Sequence, residues 1–247
     1  MKLALIADLH ANLEAVTACL EHAREQGADQ LAFLGDLVGY GADPAAVLDL
    51  VAAEVARGAL AVRGNHDDAV AQEGGDTMNK AAEAAVAWTR AQLSPAQRGF
   101  LEGLPLTARL DEILLVHASA DRPADWTYVS DPLRAEQSVL ASQATYVFSG
   151  HVHEAMLYYV GPGGRAQPFR PVAGVAIPVP PRRRWLAIAG SAGQPRDGNT
   201  AAAYALLDRE RATLTFHRVP YQWSLAAAKI RAAGLPESLA RRLERGE

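Results

Sequence analysis

The sequence predicts an α/β fold built around a partly parallel sheet, and three observations carry that prediction. Short, continuous apolar runs recur at 2–8 (KLALIAD), 30–36 (QLAFLGD), 59–65 (ALAVRGN), 112–118 (EILLVHA) and 145–151 (TYVFSGH), with the length and character of buried strands. Patterns rich in alanine, leucine and glutamate separate the first three runs, at roughly 12–26 and 44–57, as the crossover helices of βαβ units do. Beyond residue 150 the apolar runs follow one another closely, as strands of hairpins do.

Taken in order, the first strand ends at Asp8, ahead of a helix that begins near Asn12. The second strand ends at Asp36 and the third at Asn65 and His66. Residues 79–103 read as one or two helices broken near Ser94 and Pro95, where serine caps a helix and proline takes its first position. The runs AMLYYVG, RWLAIAG, AAYALLD and TLTFHRV come next, with turns such as GPGG and RDGN between some of them, and read as antiparallel hairpins. A helical tail over roughly 222–245 carries Pro236 as an internal helix start. Neither a repeat nor a convincing linker divides the chain, so a single domain over 1–247 is expected.

Bulk properties narrow the class of function. Hydrophobic residues make up 49% and charged residues 21%, as in ordinary soluble domains, and the formal net charge of -4 has the wrong sign for a polyanion binder. The cluster RRRW at 182–185 is read as a solvated loop, and no nucleic-acid partner is expected. The one cysteine, Cys19, cannot form an internal disulfide and suits core packing in the first helix. The opening MKLALIADLH reaches Asp8 before a signal-peptide or membrane-length run develops, so a cytoplasmic protein without membrane attachment is expected.

In open α/β sheets, ligands bind beyond the carboxyl ends of strands, where loops converge. Those ends carry Asp8 and His10, Asp36, Asn65 and His66, His117, and His151 and His153, which include five of the seven histidines. Each has an ordinary explanation alone: Asp8 as a cap or turn former, GD and GN as turn dipeptides, His117 as a hydrogen-bonded core residue. His151 and His153 are harder to dismiss, because side chains one residue apart share a side in extended structure and can reach a common centre. Separate structural causes would have to coincide at five successive strand ends. Two carboxylates, one amide oxygen and several imidazoles delivered to one place make a metal site on rigid elements. Nitrogen and oxygen donors without thiolate suit manganese, iron, zinc, cobalt or nickel.

DLH at 8–10, GD at 35–36, GNHD at 64–67, the isolated His117 and GHVH at 150–153 together resemble the ordered motif set of the calcineurin-like metallophosphoesterases. GSAGQPRDGN at 190–199 is similar to the later part of small bacterial and archaeal members. The resemblance implies a four-layer α/β/β/α sandwich of two mixed sheets flanked by helices, with two divalent transition-metal ions, manganese or iron foremost, at the strand ends. It implies one metal held by Asp8, His10, Asp36 and His153, and another held by Asp36, Asn65, His117 and His151, with Asp36 bridging. His151 and His153 would then serve different metals of the pair from an extended loop. His66 stays unligated and takes the role of general acid toward the leaving oxygen, so that His66, Asp36 and Asn65 form the catalytic group. Asp67 and Asp68 either orient His66 or cap the segment behind it. Gly150 is expected to let the backbone approach closely.

The implied chemistry is hydrolysis of a phosphodiester or phosphomonoester of a small molecule or nucleotide by a metal-bridging hydroxide. A dinucleoside polyphosphate hydrolase and a non-catalytic metal-binding scaffold are the alternatives. Gly39 and Tyr40 stand where the protein Ser/Thr phosphatases carry an Asp-Arg pair, which argues against that branch. Ala11 replaces a glycine common in relatives and is expected to keep the turn. Gln194 and Arg196 offer contacts to a phosphate, or GQPRDGN is simply a tight hairpin turn. His22 and His217 fit ordinary helix and strand patterns.

Overall fold

The structure is a computed structural model that describes residues 1–72, 78–161 and 163–247. Strands β1 (Lys2–Ile6), β2 (Gln30–Phe33) and β3 (Leu60–Ala61) lie parallel, linked by α1 (Leu13–Glu25) and α2 (Pro44–Ala56). The period of two along β1 sends Leu3, Leu5 and Ala7 into one apolar cluster and Ala4 and Ile6 into another, which is why this strand reads as a continuous run. Three helices follow: α3 (Asn65–Ala71), α4 (Lys80–Gln92) and α5 (Pro95–Gly103). The break between the last two falls where expected: Ser94 accepts a hydrogen bond from the Gln97 amide, the Gln97 side chain accepts one from the Ser94 amide, and Pro95 opens the helix.

The chain then lays down β4 (Thr107–Leu110), β5 (Ile113–Val116), α6 (Pro132–Ser142), β6 (Tyr146–Ser149), β7 (Ala155–Val160), β8 (Ala166–Phe169), β9 (Ala176–Pro178), β10 (Arg184–Ala189), β11 (Ala202–Asp208) and β12 (Thr213–Val219). The tail forms α7 (Trp223–Ala232) and α8 (Glu237–Arg245), with Pro236 capping the second. One sheet runs β3-β2-β1-β11-β12-β9 and the other β4-β5-β6-β10-β7-β8, both mixed. Leu5, Leu115, Phe148, Ala187, Leu207 and Phe216 meet between the sheets. Helices α1 to α5 cover the outer face of the first sheet, α6 covers that of the second, and α7 and α8 pack with α4 around Tyr40. This is the four-layer α/β/β/α sandwich the resemblance implies, with the described helices flanking two six-stranded sheets.

The second half departs from a simple succession of hairpins. Strands β11 and β12 form one, and β7 pairs with β8 around GPGG, of which Pro162 lies outside the described residues. Segment RDGN, however, joins β10 of one sheet to β11 of the other and is not a hairpin turn. The physical reason is that residues 191–193 bond the first ligand loop instead of a neighbouring strand: Ala192 N–H donates to Ala7 O and Gly193 N–H to Asp8 O, both at 2.9 Å. A Cβ at Gly193 would lie 1.9 Å from Leu9 O, so only glycine permits that approach. Cys19 is buried, and His22 bonds Tyr204 (2.8 Å) beside His217, away from the strand-end histidines. Among the described residues no helix is long and apolar enough to cross a membrane.

Candidate metal centre

The carboxyl ends of β1, β2, β3, β5 and β6 converge, and they bring the predicted residues together. Ligand atoms of Asp8, His10, Asp36 and His153 all lie within 4.8 Å of one another, and so do those of Asp36, His117 and His151. Asp36 belongs to both sets: its Oδ2 is 3.6 Å from His10 Nε2 and 3.4 Å from His117 Nε2. The Asn65 side-chain oxygen joins the second set, 3.1 Å from His117 Nε2. Within the sets, His10 Nε2 faces His153 Nε2 and His117 Nε2 faces His151 Nδ1, each at 3.1 Å.

Main-chain carbonyls aim three of the rings. His10 Nδ1 donates to Val38 O (3.2 Å), His117 Nδ1 to Leu34 O (2.8 Å) and His153 Nδ1 to Gln194 O (2.6 Å), which leaves each Nε2 lone pair pointing inward. His151 is turned the other way, with Nδ1 inward and its buried Nε2 without a hydrogen-bond partner among the described residues. The carboxylates are anchored too: the His151 amide donates to both Asp8 oxygens (3.0 Å) and the His66 amide to Asp36 Oδ1 (2.9 Å). A Cβ at Gly150 would sit 2.5 Å from Asp8 Oδ2, so the close approach expected of this glycine is present.

Strained backbone is concentrated at these residues. Asp8, His10, Asp36, His151 and His153 all have left-handed φ, between 47° and 68°, where a side chain costs roughly 1–2 kcal/mol. The extended loop expected for His151 and His153 is therefore corrected. Val152 N–H donates to Gly150 O (2.8 Å) and closes a tight turn, so the two rings part, His151 toward one donor set and His153 toward the other. Ala11 keeps the turn, as expected, but at φ 51° it too occupies the region that glycine favours.

The electrostatics follow from burial and from one shared carboxylate. Burial pushes Asp8 up to about 7, against the pull of His117 and with the push of Asp36. Burial raises Asp36 as well, but His117, His66 and His10 outweigh it and hold this carboxyl well below its usual range. His117 is lowered by burial and raised by Asp36, with a net rise to about 9. Burial drives His10 and His153 well below the ordinary histidine value and takes His151 to about 3. His10, His151 and His153 thus offer neutral imidazole lone pairs around a firmly anionic Asp36, whose charge holds on His117 a proton that a divalent cation would displace; nitrogen and oxygen donors of this kind fit such cations.

His66 is buried but lies outside both donor sets, with its ring 4.4 Å from Tyr40 and its Nδ1 unpartnered among the described residues. Burial lowers its pKa, while the charge of Asp36 opposes that shift. Asp67 is a clamp and does not bond the His66 ring: it accepts hydrogen bonds from Leu37 (2.8 Å), Val38 (3.2 Å) and Gly64 (2.9 Å) amides and ties two ligand loops together. Asp68 faces Arg63 (3.3 Å) and Gln72 (3.0 Å). Beside the centre lies a cleft of about 500 Å³, lined in part by Asn65, His66, Tyr40, Trp126, Tyr128 and His151. Tyr128 stacks on the His151 ring with centroids 3.8 Å apart.

The Gln194 side chain is engaged by protein groups. It is buried, its main-chain oxygen fixes His153, and its Oε1 accepts from Arg196 (3.1 Å) and Arg242 (3.3 Å). Arg196 and Arg242 both stand near the Tyr40 ring, 5.9 Å and 5.8 Å from its centroid. Sequence reasoning missed Trp126, Tyr128 and Arg242. The first two sit in the connection between β5 and α6 with no motif around them, and two aromatics in a loop just after His117 were the available signal.

Comparison with known proteins identifies the family and the fold. The family model described as the calcineurin-like phosphoesterase superfamily domain matches residues 1–212. The crystal structure of a metallophosphoesterase from Sphaerobacter thermophilus superposes with a TM-score of 0.88 at 34% identity, covering 100% of this chain and 99% of that one. An uncharacterised protein of Methanocaldococcus jannaschii is 30% identical over 251 residues, 98% of this chain and 96% of its own length. A hypothetical protein of Pyrococcus horikoshii shares the fold at 20% identity, with a TM-score of 0.79 over 100% of this chain and 98% of its own. Motif order, sandwich and family match converge: the chain belongs to the calcineurin-like phosphoesterase superfamily.

Proposed function

We propose that this protein is a dinuclear metal-dependent phosphoesterase that hydrolyses a phosphodiester or phosphomonoester of a small molecule or nucleotide. The observation that carries the reading is the pair of buried donor sets sharing Asp36. In this reading Asp8, His10, Asp36 and His153 hold one cation, and Asp36, Asn65, His117 and His151 hold the other. Manganese or iron is the proposed metal, as the family resemblance implies; the nitrogen and oxygen donors without thiolate are compatible with these and equally with zinc, cobalt or nickel. Two such cations, when bound, acidify a water and draw charge from the phosphoryl oxygens.

The rest of the work falls to the chain. Carbonyls of Leu34, Val38 and Gln194 keep three imidazoles oriented, so the site needs little reorganisation as charge develops. His66 donates a proton to the leaving oxygen, and the hydrogen bond from its backbone N–H to Asp36 Oδ1 fixes the distance between the acid and the shared carboxylate. Trp126, Tyr128 and Tyr40 give the cleft an aromatic wall, and its volume is in the range of small-molecule sites. Gly39 and Tyr40 in place of an Asp-Arg pair favour a small substrate over a phosphoprotein. The reading includes one domain over 1–247 and a reducing cytoplasmic setting, which a lone buried cysteine suits, with no nucleic-acid partner. A second reading, a dinucleoside polyphosphate hydrolase, draws on Arg196 and Arg242 beside the centre.

The test is turnover of bis-p-nitrophenyl phosphate and p-nitrophenyl phosphate, side by side, by metal-stripped protein with and without added manganese. Manganese-dependent release is expected, and the preferred substrate separates diesterase from monoesterase. No release of p-nitrophenol by protein that binds two manganese ions would contradict the phosphodiester or phosphomonoester reading and leave the polyphosphate hydrolase or a scaffold.

A further inference from the structure

We propose that Arg196 and Arg242 form a second anion-binding point beside the metal centre, built to hold a further phosphoryl group of the substrate next to the one that is cleaved. The cleaved group rests on the phosphoesterase reading; the anion-binding point itself is measurable without turnover.

The two arginines come from distant parts of the chain, one from the loop after β10 and the other from α8. They meet at one place: both donate to Gln194 Oε1, and both guanidinium carbons lie within 6 Å of the Tyr40 centroid, at 5.9 Å and 5.8 Å. Tyr40 is in turn 4.5 Å from the His10 ring and 4.4 Å from the His66 ring, centroid to centroid. The pair therefore stands one aromatic ring away from a candidate ligand and from the candidate acid. Arg196 also donates its backbone N–H to His153 O (3.3 Å).

Neither guanidinium has a carboxylate within 4.0 Å among the described residues, although acids are close in sequence. Asp197, next to Arg196, is committed to Arg218. On α8, Arg241 pairs with Glu237 and Arg245 with Glu247, and Glu244 pairs with Arg231 of α7, so Arg242 alone of the three helix arginines is left without an acid. The buried group placed between the two cations is an amide. A carboxylate at position 194 would pair with both and halve their net charge, whereas glutamine orients the forks and leaves two positive charges converging, an arrangement that an anion relieves. Planar guanidinium groups match phosphoryl oxygens in bidentate geometry. Tyr40 separates them from the donor sets, so they serve a neighbouring group on the same substrate.

The test is calorimetric titration of inorganic pyrophosphate and of orthophosphate into the manganese-loaded protein, at one fixed excess of manganese. Chelation in solution is then common to every protein compared. Wild type is expected to bind pyrophosphate at least about tenfold more tightly than orthophosphate, the effect of one additional charge-assisted contact. Gln194→Glu, which pairs both guanidiniums, should cut that ratio about tenfold while the melting temperature holds or rises. Arg242→Gln, on the surface helix, should cut it similarly and serves if the buried variant does not fold. A wild-type ratio near one, or a ratio unchanged in either folded variant, would overturn the proposal. If the ratio behaves as expected but no p-nitrophenyl substrate is turned over, the phosphodiester or phosphomonoester reading falls and the anion-binding point stands.

Discussion

The donor set of Asp8, His10, Asp36 and His153 is enclosed, roofed by Tyr40 and the Gly193–Gln194 segment, whereas Asn65 and His151 of the other set line the cleft beside Trp126 and Tyr128. The enclosed set has two carboxylates, and each of its imidazoles is anchored on a main-chain carbonyl. The open set has only the shared Asp36 as a carboxylate, with one neutral amide, His117 anchored on Leu34 O, and in His151 a ring whose outer nitrogen has no partner among the described residues. Two carboxylates in a buried enclosure hold a dication more firmly than one beside a cleft. On the proposed reading the difference teaches a division of labour: the enclosed position would keep its cation, and the open one would meet substrate and exchange.

The largest way to break this arrangement is at the shared group. Asp36→Asn removes the negative charge from both sets, and turnover should drop to the protein-free background with the count of bound manganese below two. Full activity in this variant would reject the bridging assignment. His66→Ala should lower turnover by about 10²–10⁴-fold with two metals still bound, most severely for alkyl leaving groups, which need the proton more than p-nitrophenolate does. Loss of a metal would instead move His66 into the coordination shell. Asp67→Ala strands three amide donors in the interior, so urea denaturation should show a loss of about 3 kcal/mol, or more. The smallest expected effect has the opposite sign. Ala11→Gly relieves left-handed strain of about 1–2 kcal/mol and gives up a buried methyl worth about 0.8 kcal/mol, so a net gain under about 1 kcal/mol should appear in the same denaturation experiment.

The same contrast marks how much the sequence could reveal. Asp8, Asp36, His117, His151 and His153 stand at the ends of recognisable apolar runs, and the rule that ligands gather at strand ends was enough to group them. The division of His151 and His153 between sets was implied by resemblance, but the tight turn that produces it was not legible, because left-handed φ at a histidine leaves no compositional trace. The crossing of RDGN between sheets was hidden for a related reason: the chain there answers to backbone groups of Ala7 and Asp8, nearly two hundred residues away. Arg242 was invisible on α8 because an arginine in a helix rich in Arg–Glu pairs looks like its neighbours until the unpaired one is seen to reach Gln194.

The measurement that bears most directly on the shared, unequal pair is stepwise removal of manganese by a chelator, counted per chain in wild type and in His151→Ala. Two ions per chain leaving in two resolved steps, with the faster step absent in His151→Ala, is the predicted result. One ion per chain, or two that leave in a single step in wild type and His151→Ala alike, would contradict it.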